Sequence, residues 1–125
     1  MHPNYLSQQF EQSKRNLGLE TIDLMYIHNA YESQAVTLGS QELFFEKLKS
    51  AFEFYEQKRQ EGHLQYYGMA TWLCFRAKIE EDKIYLSLQK CIELAERIGG
   101  KDKHGFKFIQ APMGVAMPEA FAEKW

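Results

Sequence analysis

Cysteine is scarce in these 125 residues: Cys74 and Cys91 are the only two, and they stand far apart. Two such thiols make neither a disulfide framework nor a zinc site, so a reducing, cytoplasmic setting is expected. No apolar run approaches the roughly 18 residues of a membrane-spanning helix, and the N-terminus lacks the apolar core of a signal peptide. Neither sign of charge dominates, with 15 Lys and Arg against 17 Asp and Glu. That balance removes the electrostatic footprint of a nucleic-acid or acidic-membrane binder. No GxGxxG follows a strand pattern, and Gly99-Gly100-Lys101 lacks the upstream glycine of a phosphate loop. The four histidines have no ligand-like spacing, so no metal site is expected.

What remains has ordinary globular values, 45% apolar and 26% charged, over a length that makes one domain, 1–125. Residues 5–17 place Leu6, Phe10 and Leu17 at helical spacing, with Pro3 suited to the first turn and Gly18 to the left-handed residue past the end. Residues 21–28 are mostly apolar and β-prone, as in a strand buried on both faces. The polar stretch Asn29–Ser40 is expected to be a loop. Ser40 caps a helix whose stripe is Phe44, Leu48, Ala51, Phe52 and Tyr55, and Gly62 stops it. A second strand is expected at 65–71. After the loop 72–86, Ser87 caps a helix carrying Leu88, Cys91, Ile92, Ala95 and Ile98, ended by Gly99-Gly100. A third strand follows at 106–111, stopped by Pro112. The helix–strand pair thus recurs three times at roughly forty-residue intervals, with no leucine ladder of a solenoid. Such alternation predicts an α/β fold with three parallel strands and crossover helices. Glu80-Glu81-Asp82-Lys83 is expected to be a solvated loop, and the methionines packing residues.

Three segments carry a resemblance. The run from Asn16 to Asn29, NLGLETIDLMYIHN, is similar to the LGLDYIDLYLIHNP pattern of aldo-keto reductases. Gln60 to Gly68, QEGHLQYYG, resembles that family's EEGKIRYYG segment, and Phe108-Ile109-Gln110-Ala111-Pro112 falls where the family has a strand ending in Gln. All three occur in order, on the expected elements. The resemblance implies the central part of an eight-stranded β/α barrel, from the third helix to just past the sixth strand. A full barrel takes roughly 200 residues or more, so this chain is expected to be a fragment of one.

The resemblance also implies chemistry, position by position. Family members transfer a hydride between a nicotinamide cofactor, usually NADP(H), and a carbonyl or alcohol. His28 matches the histidine that orients the carbonyl, and an imidazole N–H at the C-terminal mouth of a barrel suits that task. The plainer alternative is a structural histidine at a strand end. Gln110 matches the glutamine that binds the nicotinamide carboxamide, and as a buried amide it is expected to need partners. Thr71 stands at the serine of the family's Ser-Asn pair and keeps a hydroxyl. Trp72 replaces the asparagine, and its indole N–H only donates. Packing in the loop and stacking near a nicotinamide ring both suit Trp72.

The family's catalytic tyrosine, aspartate and lysine have no counterparts here, and the basic residues for the 2′-phosphate would lie downstream of Trp125. Two functions follow as expectations. One is part of an NAD(P)H-dependent reductase, inactive as this chain and binding no cofactor by itself. The other is a truncated, non-catalytic α/β module acting through self-association. Self-association is expected in either case, through strand edges and an inner sheet face. Alternation within each strand assigns that face Ile22, Leu24, Tyr26, Tyr67, Met69, Phe106 and Phe108, with His28 at the mouth.

Overall fold

The computed structural model describes residues 2–78, 84–118 and 122, with residues 35 and 36 described by backbone alone. The expected solvated loop at Glu80–Lys83 lies outside the described residues. Helix α1 (Pro3–Leu17) starts at the His2 cap, whose ring accepts the Asn4 N–H, and has proline in its first turn. It ends at Gly18, whose φ of 66° lets the chain turn without the strain a Cβ would add. Strand β1 (Ile22–His28) follows as predicted.

The first departure is α2 (Ala30–Leu38), a helix where a loop is expected. Among its described side chains the buried ones, Ala30 and Tyr31, are adjacent in sequence and make no periodic stripe. Tertiary packing supplies the reason, since Tyr31 sets its ring edge-on against Phe44, 4.9 Å between centroids. Asn29, at φ 46°, turns the chain from β1 into this helix. Helix α3 (Gln41–Gln60) has the predicted Ser40 cap, its hydroxyl accepting the Leu43 N–H, and the entire predicted stripe is buried. Strand β2 (Leu64–Ala70), helix α4 (Leu88–Gly99) and strand β3 (Phe106–Gln110) complete the order. Ser87 caps α4 as predicted, and Leu94 joins its buried face.

The three strands form one parallel sheet in the order β1-β2-β3. Parallel neighbours require crossovers, and α2 with α3 provides the first, α4 the second. Register fixes which side chains share a face. Met25 and Ile27 stand opposite Tyr67 and Met69, while Leu24, Tyr26 and His28 stand opposite Tyr66, Gly68 and Ala70. An irregularity at Tyr67/Gly68 then pairs Tyr67 with Phe106 but Gly68 with Phe108, skipping Lys107.

This register corrects the expected inner face. Tyr67, Met69 and Phe106 are fully buried under α3, where Tyr67 packs on Phe52 and Tyr55. Ile22, paired with Leu64 at the strand starts, is buried in the same cluster. The faces were mis-sorted because alternation gives parity within one strand, whereas register between strands decides which parities coincide. The face left open carries Leu24, Tyr26, Tyr66 and Phe108, with the last two rings 5.8 Å apart. Among the described residues no helix is long and apolar enough to cross a membrane.

Candidate functional site

The C-terminal ends of parallel strands point the same way, so whatever ends each strand gathers at one edge. Here that edge is aligned row by row. His28 pairs with Ala70, and Ala70 with Gln110. Two backbone bonds continue the alignment past the strands: Asn29 N–H donates to Ala70 O at 2.7 Å, and Thr71 N–H to Gln110 O at 2.8 Å. His28 and Gln110 therefore flank Ala70 on the open face, and both side chains are exposed. Gln110 was expected to be buried; β3 is the edge of the sheet with its inner face uncovered, so its amide meets solvent instead.

Beyond Ala70 the chain leaves the sheet, and Thr71 and Trp72 diverge. Thr71 is buried, and its Oγ1 finds no hydrogen-bond partner among the described residues. Trp72 is 60% exposed, which decides against a packed core role for its ring. The loop is held from within and from α2. Arg76 Nε donates to Trp72 O at 3.1 Å. From α2, Glu32 Oε1 accepts three consecutive backbone N–H groups, those of Trp72 at 3.0 Å, Leu73 at 2.9 Å and Cys74 at 3.1 Å. Successive amides converging on one oxygen form an anion nest. Burial alone would raise the Glu32 pKa, but its backbone donors outweigh burial and hold the carboxyl below its ordinary value. The Cys74 thiol is pushed well up, by burial first and then by the Glu32 charge.

Sequence reasoning missed Glu32, because it sits in the first turn of the helix that went unseen. It missed Glu56 too, although a carboxylate interrupting the apolar stripe of α3 is a signal. Glu56 is buried and accepts Tyr67 Oη–H at 3.0 Å and Gly105 N–H at 2.6 Å, with Arg59 as its ion-pair partner. Arg59 also donates to Gln65 O at 2.7 Å. This node ties α3 to β2 and to the entry of β3, so it is a structural device rather than part of the strand-end edge. Among the described residues no cluster of His, Cys, Asp or Glu could hold a metal ion.

The aldo/keto reductase family model matches residues 1–80. This chain belongs to the aldo/keto reductase family. No match was found among curated proteins or among solved structures. The family match covers α1 through β2 and the Glu32-bound loop, and the parallel α/β arrangement is that of part of an aldo/keto reductase barrel. Members of the family typically use NADP(H). Of the positions that the family resemblance relates to a carboxamide, Gln110 presents its amide at the open edge. The Thr71 hydroxyl is buried, the indole of Trp72 can only donate, and the N–H groups of the loop are engaged by Glu32. As it stands, this loop does not fit a nicotinamide carboxamide.

Proposed function

We propose that this chain forms the central part of a carbonyl-reducing, aldo/keto reductase-type scaffold, and that alone it neither holds NADPH appreciably nor reduces carbonyls. In this reading His28 is the group that orients a substrate carbonyl, by donating an imidazole N–H toward its oxygen. Gln110 belongs to the cofactor side, whereas Thr71 and Trp72 beside it lie in the loop that Glu32 closes. The observation that carries the reading is the single register row of His28, Ala70 and Gln110 at the C-terminal edge of a parallel sheet. The two unpaired, buried thiols suit a reducing, cytoplasmic setting.

The inactivity of the chain alone rests on the closed loop and on arithmetic. Two or three neutral hydrogen bonds from Gln110 and Thr71 are worth about 0.5–1.5 kcal/mol each, which corresponds to millimolar binding or weaker. Absence of a proton donor would remove on the order of 10²–10⁴ in rate. NADPH fluorescence titrated with the pure chain is expected to show no saturation in the micromolar range. A micromolar dissociation constant, or turnover of an aldehyde that His28→Ala abolishes, would overturn this half of the reading. The other reading, a non-catalytic module that acts by self-association, draws on the open face bearing Tyr66 and Phe108, each about two-fifths exposed.

A further inference from the structure

We propose that the loop following β2 is a carboxylate-binding site whose resident ligand is the chain's own Glu32, and that it accepts a free small carboxylate once Glu32 is removed. Three facts lead there. First, the N–H groups of Trp72, Leu73 and Cys74 all converge on a single oxygen at 2.9–3.1 Å. Consecutive amides aimed at one point form a preorganised receptor for an anionic oxygen, and such charge-assisted bonds are about twice as strong as neutral ones. Second, the receptor has polar capacity that its resident leaves unused. Thr71 is 5% exposed, and its Oγ1 has no partner among the described residues. The Cys74 thiol, only a weak hydrogen-bonding group, interacts with both the Thr71 hydroxyl and the Glu32 carboxylate. The second oxygen, Glu32 Oε2, is likewise buried without a partner among the described residues. Glu32 satisfies the three amides and leaves Thr71 unused, whereas a free carboxylate has no tether to fix its orientation. Third, donor and acceptor come from different elements, Glu32 from α2 and the amides from the loop after β2. Within the loop, Arg76 Nε donates to Trp72 O.

Glu32 thereby acts as a stopper. Its tether gives it a high effective concentration, so a free carboxylate competes poorly in the unaltered chain. The inference stands apart from the roles given to His28 and Gln110, and an NADPH titration that overturned those would leave it untouched.

The test is chemical rescue of Glu32→Ala with sodium formate, with sodium chloride and sodium phosphate at matched ionic strength as controls. Removing Glu32 strands three amides and is expected to lower Tm by roughly 5–10 °C. About 100 mM formate should then recover a few degrees in the variant and nothing in the unaltered chain. Equal recovery by chloride or phosphate, or equal response of both proteins, would overturn the proposal. Should Glu32→Ala fail to fold, formate-dependent recovery of its folded signal supports the proposal. Amide resonances supply a second reading. In Glu32→Ala those of Trp72, Leu73 and Cys74 should shift saturably with formate, and unmoved resonances would overturn the idea.

Discussion

At the scale of single residues, buried polar atoms decide most. Glu56 is 4% exposed, which makes its three partners obligatory. Truncating it leaves Tyr67 and the Gly105 amide without their acceptor and Arg59 without its ion-pair partner; Tyr67→Phe removes one partner and leaves the carboxylate with two. Urea unfolding should therefore show Glu56→Ala costing roughly 3–5 kcal/mol and Tyr67→Phe about 1–2 kcal/mol. Equal costs would show that Tyr67 and Glu56 do not share a network. Acid stability follows from two other residues. Glu32 binds its proton less readily when folded, so its contribution is complete above the ordinary value of 4.5 and is lost as pH falls through the depressed folded value. His104 is held below 6.5, by burial first and then by the nearby Lys107 charge. Its unfolded form takes up a proton before the folded form does, so stability begins to decline as pH drops through 6.5. Denaturant midpoints measured from pH 7 to 3 should fall in both windows. Glu32→Ala should shrink the lower step, to which Glu42 and Glu61 also contribute, and keep the upper one.

At the scale of elements, β2 and β3 join with no room for a side chain at Gly68. A Cβ built on Gly68 would overlap the backbone carbonyl of Phe108 on the neighbouring strand. No rotamer change relieves a clash with backbone, so the strands must separate at the irregularity that Gly68 borders. Gly68→Ala is expected to destabilise by about 2–4 kcal/mol, well beyond an ordinary exposed glycine substitution. Gly114, where the added Cβ would meet nothing, is the control. Thermal melts that place the two variants together would show that β3 is not held against β2 at this point. The helices behave differently, because their boundaries are set locally: the Ser40 and Ser87 hydroxyls each cap an amide three residues on.

At the scale of the whole molecule, the sheet has helices against one face and the other face partly bare. Tyr66 and Phe108 meet there beside half-buried Leu24 and Tyr26, and β1 and β3 each have a free edge among the described residues. Such a face and two unpaired edges favour association of copies, which removes apolar surface from water and pairs stranded amides. Sedimentation equilibrium at tens of micromolar is expected to give a dimer or larger species. Tyr66→Lys combined with Phe108→Lys should shift it toward monomer, by placing like charges where the two rings touch. A cooperative monomer of the unaltered chain at that concentration would sink the expectation.

Local chemistry was enough to read the three strands, three of the four helices, two serine caps and the parallel α/β class, because periodicity, capping and strand composition act over a few residues. The run ending at His28 and the strand ending in Gln110 were legible for the same reason, and the parallel sheet then placed both at one edge. Three features were decided only by the tertiary structure. Helix α2 is held by Tyr31 against Phe44, a contact across the chain that leaves no stripe in its own sequence. The composition of the open face depended on register between strands, which moved Tyr67, Met69 and Phe106 into the core and left Tyr66 and Phe108 outside. The state of the strand-end loop depended on Glu32, forty residues before the amides it binds. Little in the local sequence distinguishes that carboxylate from a solvated one, since beside its own N–H it is held by three N–H groups that only the fold brings to it.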